Sequence, residues 1–252
     1  MERKIACITG ATSGIGKATA IALAGLGYAI IATGRRKERL EDLSKELPAG
    51  TDLLTLCFDV RQKEAVQKIL GNLPKGWQDV DILVNNAGNA HGLDPIQSGS
   101  LEDWDAMMDI NVKGLLYVSK EIMPGMIARK SGIIVNIGSI AGKEVYPNGN
   151  VYCASKHAVD AITQGMRMDL NPFGIKVIGI HPGLVETEFS MVRFKGDAER
   201  SKKVYQGFQP LTPEDIAETI AFAVTRPAHV VLADIVMLPT AQASATVINK
   251  KL

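Results

Sequence analysis

Short apolar runs alternate with helical patterns along almost the whole chain of 252 residues. Apolar runs that predict strands occupy residues 4–9, 28–33, 52–60, 81–88, 132–139, 175–183 and 234–238. Residues with helical spacing predict helices over 15–27, 37–47, 64–70, 101–130, 151–171 and 213–224. Such alternation forms a parallel sheet with helices on both faces and right-handed crossovers. Because no linker-like or low-complexity stretch interrupts it, we predict one doubly wound α/β domain over residues 1–252.

The bulk composition narrows the class of protein. Hydrophobic residues make up 46% of the chain and charged residues 22%, which allows a core of ordinary size. The net charge of +1 suggests neither a nucleic acid nor an anionic membrane as partner. No apolar run approaches the ~20 residues of a membrane span, and the run near the N-terminus is too short for a signal peptide. We therefore expect a cytoplasmic protein.

The three cysteines, Cys7, Cys57 and Cys153, form no CxxC pair. Cys7 and Cys57 lie in predicted strands that are apolar throughout. Thiols in such surroundings usually serve as small core residues, so we predict reduced core thiols rather than redox or metal-binding ones. The four histidines have no metal-ligand spacing, and no metal site is predicted.

The stretch TGATSGIG, residues 9–16, lies between the first predicted strand and the first predicted helix. Gly10 allows a sharp turn, while Gly14 and Gly16 let the backbone approach a phosphate and let the helix pack on the sheet. The free N–H groups at the start of that helix would then face a pyrophosphate. The spacing differs from Gly-x-Gly-x-x-Gly, and a tight turn without a ligand is the alternative. Its place after a buried first strand favours a dinucleotide site.

Arg35 and Arg36 follow the second predicted strand, where an NAD site carries an acidic residue for the ribose hydroxyl. The sequence there, ATGRRK, offers no carboxylate. Two guanidinium groups suit a 2′-phosphate, to which they can donate charge-assisted, bidentate hydrogen bonds. A solvated basic start to the next helix is the alternative. We predict NADP(H) as the cofactor.

Tyr152 and Lys156, in the stretch VYCASK, stand four residues apart in a predicted helix and so share one face. A free tyrosine, with a pKa of ~10, is a poor acid or base at neutral pH. A neighbouring ammonium group favours the phenolate and lowers that pKa. The pair predicts a catalytic proton donor, and an ordinary helix face is the alternative.

Taken together, the motifs resemble the short-chain dehydrogenase/reductase family over nearly the whole chain. They are TGATSGIG (9–16), DV (59–60), NNAG (85–88), INVKG with Asn111, GS (138–139), YCASK (152–156) and PGLVET (182–187). The resemblance implies a Rossmann-type domain with a seven-stranded sheet in the order 3-2-1-4-5-6-7. It also implies hydride transfer between an alcohol and a carbonyl, and a homotetramer.

The resemblance implies a role for each matched position. The catalytic tetrad would be Asn111, Ser139, Tyr152 and Lys156. Ser139 would hold the substrate oxygen against Tyr152, Lys156 would bind the nicotinamide ribose, and Asn111 would hold a water in a proton relay. The implied cofactor-binding positions run from the glycine-rich turn to the nicotinamide pocket, and they are Gly10, Thr12, Ser13, Gly14, Ile15, Gly16, Arg35, Arg36, Asp59, Val60, Asn86, Ala87, Gly88, Tyr152, Lys156, Pro182, Gly183, Val185 and Thr187.

Within that family, the C-terminal half resembles the NADP-dependent 3-hydroxy acid dehydrogenases, also called serine or allo-threonine dehydrogenases. ETEFSMVRFKGD (186–197), LTPEDIAE (211–218) and RPAHVVLADIVMLPTAQ (226–242) carry this resemblance. It implies a short 3-hydroxy acid or 3-hydroxy amino acid as substrate. The alternatives are a broad carbonyl reductase and a non-catalytic NADP-sensing protein, although sensors of this kind usually lack the tyrosine or the lysine.

The residues after the sixth predicted strand are polar and charged, with little periodicity. They predict a mobile substrate loop over about 186–212, and residues 240–252 predict a C-terminal tail. Arg193 in the loop is a planar cation suited to a substrate carboxylate, with Lys195 as the second candidate. A surface arginine without a ligand is the alternative for Arg193.

Overall fold

The computed structural model of the chain describes residues 3–251. In this part of the chain, seven parallel strands form one sheet in the order β3-β2-β1-β4-β5-β6-β7. The strands are β1 Ile5–Thr9, β2 Ala29–Gly34, β3 Leu53–Cys57, β4 Ile82–Asn85, β5 Ile133–Ile137, β6 Lys176–Pro182 and β7 Asp234–Met237. The predicted doubly wound α/β fold and its strand order are confirmed.

The helices cover both faces of the sheet. Over residues 3–251 they are α1 Gly14–Gly25, α2 Lys37–Glu46, α3 Lys63–Leu70, α4 Leu101–Met108, α5 Leu115–Arg129, α6 Asn150–Leu170, α7 Phe189–Arg193, α8 Ala198–Tyr205 and α9 Pro213–Val224. Helices α1, α2 and α9 pack on one face, and α3, α5 and α6 pack on the other. None of the helices in this range combines the length and the apolar composition needed to cross a bilayer.

Each strand sends alternate side chains into two separate cores. In β1, Ile5 and Cys7 pack with α3 and α5, whereas Ala6 and Ile8 pack with α1 and α9. Because both faces are covered, the strand is apolar from Ile5 to Ile8. Burial of each large aliphatic side chain stabilises the fold by about 1.5–3 kcal/mol.

Cys7 and Cys153 are buried, but Cys57 is exposed, so the prediction of a core thiol was wrong at this position. The reason is that β3 is an edge strand of the sheet. Leu54 and Leu56 pack against the core beneath α3 and α5, and the alternation of the strand turns Thr55 and Cys57 to the opposite face, where both are exposed.

The long helix predicted over 101–130 is interrupted. Residues Asp109–Gly114 form a π-helix between α4 and α5, and this turn contains the buried Asn111. A π-helical turn changes the backbone hydrogen-bond register and therefore the direction of the side chains it carries. Hydrophobic periodicity alone does not reveal such a change.

The segment predicted as a mobile loop over 186–212 contains two short helices, α7 and α8. The chain turns between them at Lys195 and Gly196, both with positive φ, and the Asp197 side chain caps α8 by accepting a hydrogen bond from Arg200 N at 3.0 Å. The segment is therefore partly helical, and its role as a substrate loop stays a prediction. Residues 240–251 fold back, with the Lys251 amide donating to the Gly207 carbonyl at 2.8 Å.

Candidate active site

The carboxyl ends of strands β1 to β6 open into one cavity of about 520 Å³. The chain leaves β1 toward one face of the sheet and leaves β4 toward the other, so a crevice opens between these two neighbouring strands. Ligands of doubly wound sheets bind in such a crevice. Most of the predicted site residues line the cavity, and Gly16, Asn111 and Lys195 do not.

The glycine-rich turn at the end of β1 packs directly against the end of β4. The Thr9 hydroxyl accepts hydrogen bonds from the amides of Asn86 and Ala87, each at 3.0 Å, and Asn86 Nδ2 donates to the Thr9 carbonyl at 2.8 Å. Gly10 has a φ of +69°, and a Cβ on Gly16 would lie 2.4 Å from Asn86 Nδ2. Both glycines are therefore required by backbone conformation or close packing.

The N-terminus of α1 faces the cavity, and its first turn carries no acidic residue. Ser13 is its N-cap residue, but the Ser13 hydroxyl does not cap the helix. It instead accepts a hydrogen bond from Arg36 Nη2 at 2.8 Å. The first N–H groups of α1 are consequently available to an anion, and a guanidinium group lies beside them.

The two arginines after β2 have different surroundings. Arg36 donates to the Thr12 and Ser13 hydroxyls and forms an ion pair with Glu188 at 2.8 Å. The Arg35 side chain is 54% exposed, and its nearest acidic partner is Asp59, at 3.7 Å. Only Arg36 is thus held in a network of hydrogen bonds at the glycine-rich turn.

Asn111 is fixed by the backbone of residue Asn89. Asn111 Nδ2 donates to the Asn89 carbonyl at 2.9 Å and to the Ser155 hydroxyl at 3.0 Å, and Asn111 Oδ1 accepts from the Asn89 amide at 2.9 Å. The π-helical turn therefore ties the segment that follows β4 to α6, which carries Tyr152 and Lys156.

Tyr152 and Lys156 lie in the first two turns of α6, and both are buried. Burial raises the pKa of the Tyr152 phenol above its ordinary value, and Tyr146 adds to this, while Ser139 and Arg193 oppose it. The lowering of this pKa expected from Lys156 is not found. Tyr152 is consequently a protonated donor at neutral pH.

The reason lies in the surroundings of Lys156. Its Nζ donates to the Ile137 carbonyl at 2.8 Å, and burial lowers its pKa to about 8. The desolvation that raises the pKa of Tyr152 also disfavours the charged form of Lys156. Lys156 therefore loses its proton at a lower pH than Tyr152 does. An additional positive charge, such as an oxidised nicotinamide, would favour the phenolate.

Ser139 lies two residues after β5 and caps the short 3₁₀ turn that follows, its Oγ accepting a hydrogen bond from the Ala141 amide at 3.1 Å. Beneath this turn, the buried His181 ring packs on Gly138, and its Nε2 lies 2.7 Å from Asp234 Oδ1. Lys143 forms ion pairs with both Asp234 and Asp160. The Lys143 ammonium group is thus shared between the two carboxylates, and the cluster forms an ion-pair network.

Residues 186–205, with α7 and α8, form the cover segment over the cavity. At its start, Thr187 lies against the glycine-rich turn, where a Cβ on Gly14 would be 3.2 Å from Thr187 Cγ2. Its two helices are joined by a hydrogen bond of 2.8 Å between the Ser190 and Tyr205 hydroxyls. The structure thus brings the PGLVET stretch against the cofactor end of the cavity.

Arg193 reaches from α7 to the catalytic residues. Its Nε donates to the Gly92 carbonyl and its Nη1 to the Tyr146 hydroxyl, both at 3.0 Å. Its guanidinium carbon lies 5.6 Å from the centroid of the Tyr152 ring. Among residues 3–251, its buried Nη2 has no hydrogen-bond partner. An unpaired buried donor of this kind is costly unless a ligand satisfies it.

Lys195, the second candidate for a substrate cation, is placed elsewhere. Its ammonium group forms an ion pair with Asp103 at 2.9 Å, and its side chain is 66% exposed. The positive φ of Lys195 turns the chain away from the cavity immediately after α7. Lys195 is therefore not suited to bind a substrate in this arrangement.

Several residues that the sequence did not single out also line the site. The Tyr146 hydroxyl accepts a hydrogen bond from Arg193, and the Glu188 carboxylate accepts one from Arg36. Gln242 Oε1 accepts a hydrogen bond from the Leu184 amide at 2.9 Å. Gln242 lies in the stretch predicted as a tail. These residues come from separate loops, and only their positions in the folded chain relate them to the site.

Comparisons with known proteins agree with this geometry. The family model for short chain dehydrogenases matches residues 4–198. The chain is 46% identical to an NADP-dependent 3-hydroxy acid dehydrogenase of Salmonella typhi, covering 96% of this chain and 97% of that protein. It is 44% identical to serine 3-dehydrogenase of Rhizobium radiobacter, covering 94% of each.

Solved structures agree as well. The closed form of a serine dehydrogenase complexed with NADP⁺ superposes with a TM-score of 0.92 at 45% identity, over 96% of this chain and 97% of that one. The serine dehydrogenase of Escherichia coli superposes with a TM-score of 0.82 at 40% identity, over 95% and 99%. With its parallel sheet, its glycine-rich turn and its Tyr152–Lys156 pair, the chain belongs to the short-chain dehydrogenase family.

Proposed function

We propose that the chain interconverts short 3-hydroxy acids, including 3-hydroxy amino acids, and the corresponding carbonyl compounds with NADP(H). The names of the relatives, 3-hydroxy acid dehydrogenase and serine dehydrogenase, support this activity. One observation in this chain carries the substrate class: the guanidinium group of Arg193 has a buried, unpaired Nη2 within residues 3–251 and lies beside Tyr152.

The residues at the cofactor end fit an anionic dinucleotide. The pyrophosphate would lie at the uncapped N-terminus of α1, beside the glycine-rich turn. Arg36, with Arg35 at the rim, would hold the 2′-phosphate. Residues 34–36, at the end of β2, contribute no carboxylate there that would select a free ribose hydroxyl. Asn86, Ala87 and Gly88 would support the centre of the cofactor.

The bound NADP⁺ would supply a hydride acceptor, and the protein would supply geometry and proton transfer. Tyr152 accepts the hydroxyl proton during oxidation and returns it during reduction. Ser139 holds the substrate oxygen, and the positive charge of an oxidised nicotinamide would favour the phenolate that accepts the proton. Because burial raises the pKa of Tyr152, the site is prepared to donate a proton to a carbonyl.

Arg193 would hold the substrate carboxylate. The carbinol and carboxyl carbons of a 3-hydroxy acid are separated by one methylene, so they lie roughly 2.5 Å apart. A guanidinium carbon 5.6 Å from the centre of the Tyr152 ring is near enough for one short acid to contact both side chains. A substrate with a longer spacing between its hydroxyl and carboxylate groups would need a cation farther from Tyr152.

The test is a panel of substrates assayed at 340 nm with NADP(H) and with NAD(H). The panel would contain 3-hydroxypropanoate, serine, 1,3-propanediol and a small neutral ketone. We expect turnover of the carboxylates with NADP⁺ and little turnover of the neutral alcohol. Activity confined to neutral ketones would instead favour a carbonyl reductase, and absence of all turnover with intact NADPH binding would favour a sensor.

We further propose that the enzyme acts in the cytoplasm as a homotetramer. Exposed apolar side chains on the outer surfaces of α4, α5, α6 and α9, and on the edge strand β7, support an association of subunits. They are Leu101, Leu116, Met168, Phe222 and Val236. Light scattering coupled to size-exclusion chromatography tests the tetramer, and a monomer at micromolar concentration would contradict it.

A further inference from the structure

The guanidinium group of Arg36 has partners on every nitrogen. Its Nε donates to the Thr12 hydroxyl at 3.3 Å, and its Nη2 donates to the hydroxyls of Thr12 and Ser13 at 2.9 and 2.8 Å. Its Nη1 donates to Glu188 Oε2 at 2.8 Å. A 2′-phosphate therefore cannot be bound in a bidentate manner by Arg36 unless at least one of these partners is exchanged.

Of the three residues that accept hydrogen bonds from Arg36, only Glu188 is charged. A hydroxyl of Thr12 or Ser13 can rotate and donate to a phosphate oxygen, whereas a carboxylate can only accept and would repel that phosphate. The Glu188 carboxylate also forms an ion pair with Arg39. Burial alone would raise the pKa of Glu188, but Arg36 and Arg39 together lower it to about 2, so it is ionised at neutral pH.

Glu188 also belongs to the cover segment. It directly follows Thr187, which lies on the glycine-rich turn, and it directly precedes α7. At the other end of α7, Arg193 lies beside Tyr152. One short helix consequently connects the carboxylate at the 2′-phosphate end of the cavity to the cation at the catalytic end.

We propose that Glu188 is a latch: its carboxylate occupies Arg36 in the cofactor-free enzyme and is exchanged for the 2′-phosphate when NADP(H) binds. This inference rests on the proposed use of NADP(H). In the exchange, Glu188 keeps Arg39 as a partner, and the start of α7 is released from Arg36. A cofactor without a 2′-phosphate leaves the latch in place, so the cover segment distinguishes NADP(H) from NAD(H).

The latch makes Glu188 a determinant of cofactor affinity with a predictable sign. The ion pair between Arg36 and Glu188 must be broken when NADPH binds but not when NADH binds. Replacing Glu188 by glutamine is therefore expected to strengthen the binding of NADPH and not that of NADH. The ion pair is partly exposed, with Glu188 44% and Arg36 42% accessible. Pairs of this kind contribute modestly, and the expected change is an about fivefold lower Kd.

The experiment compares dissociation constants for NADPH and NADH, measured from nicotinamide fluorescence in three proteins: wild type, Glu188→Gln and Glu186→Gln. Glu186 is a matched control, since it lies two residues away, is exposed and forms no ion pair within residues 3–251. We expect about fivefold tighter NADPH binding in Glu188→Gln only, with NADH unchanged. Unchanged or weaker NADPH binding, or an equal shift for both cofactors, would overturn the latch.

A second readout follows the cover segment itself. Amide hydrogen exchange of residues 188–194 is measured with no cofactor, with NAD⁺ and with NADP⁺. In the wild type, NADP⁺ should change exchange here in a way that NAD⁺ does not, and in Glu188→Gln the two cofactors should act alike. Identical profiles for the two cofactors in wild type would overturn the latch. A wild type that binds NADPH no more tightly than NADH would instead remove the underlying assignment of NADP(H).

Discussion

The two walls of the cavity are held in place by different physical forces. The proposed catalytic wall, made of Asn111, Ser139, Tyr152 and Lys156, stands on β5, α6 and the π-helical turn, and all but Ser139 are buried. The cover segment opposite consists of two short helices with many exposed side chains, including Met191 and Val192. One wall belongs to the core of the protein, whereas the other lies on its surface.

This difference separates two tasks of a dehydrogenase. Burial fixes the catalytic wall and shifts its pKa values, raising that of Tyr152 and lowering that of Lys156. The cover segment is held by polar contacts, among them Glu188 to Arg36, Arg193 to Gly92, and Lys195 to Asp103. Polar contacts can be exchanged for contacts with a ligand at small cost, which suits a wall that must admit and cover substrate.

The largest effect is expected from removing the proton donor on the catalytic wall. Tyr152→Phe deletes one hydroxyl and keeps the ring that packs against Phe189. Turnover should fall by about 10³-fold, within the range that general acid catalysis contributes. NADPH binding, measured by fluorescence, should stay within about twofold of the wild type. A variant that keeps a tenth or more of the wild-type kcat would show that Tyr152 is not the acid.

A smaller effect is expected at the cofactor end, where Arg36 touches both the glycine-rich turn and the cover segment. Arg36→Ala should weaken NADPH binding by about 30-fold, on the scale of one or two charge-assisted hydrogen bonds, and NADH binding far less. Arg35→Ala serves as the comparison, because Arg35 is the more exposed of the two. Arg35→Ala should weaken NADPH binding by about threefold. Equal losses for NADPH and NADH in Arg36→Ala would mean that Arg36 does not contact the 2′-phosphate.

The smallest effect concerns stability and measures the cost of burying the catalytic wall. The pKa of Lys156 is lowered to about 8 by burial, so between about pH 8 and its unfolded value the unfolded chain binds more protons. Stability contributed by this group therefore rises with pH through that window and is lowest below it. Lys156→Met should raise Tm at pH 7 by about 3 °C, after allowing for the hydrogen bond lost to the Ile137 carbonyl.

Thermal unfolding followed by circular dichroism at pH 7 and pH 10 checks this sign. The difference in Tm between Lys156→Met and the wild type should shrink as the pH rises, because neutral lysine no longer opposes burial. A wild type that is more stable than the variant at pH 7 would mean that the ammonium group is fully compensated in the fold.

The positions of the residues in the catalytic wall were easier to predict from the sequence than the structure of the cover segment, and their catalytic roles stay predictions. The periodicity of strands and helices identified the sheet, and the order of short motifs identified the residues at its carboxyl edge. Local motifs succeed there because each matched residue is placed by its own strand or helix. The spacing of Tyr152 and Lys156 is an example, since one helix fixes both.

The failures have physical causes of other kinds. The π-helical turn at Asn111 leaves no mark in hydrophobic spacing, and Cys57 is exposed only because β3 is an edge strand. The helices α7 and α8 are too short for a clear period. Contacts such as Glu188 with Arg36 join residues far apart in sequence, so they could be read only from the folded chain. The direction in which the Tyr152 pKa is shifted likewise depends on burial, which follows from the folded structure.

The central claim is that one cavity joins a proton donor, Tyr152, to a carboxylate anchor, Arg193. The most direct test measures kcat/KM with NADP⁺ for 3-hydroxypropanoate and for its uncharged amide, in wild type and in Arg193→Gln. The wild type should prefer the acid, and the variant should lose at least about tenfold on the acid while the amide changes little, because a lost ion pair affects only the charged ligand. A parallel loss on both substrates, or an unchanged preference for the acid, would contradict the claim.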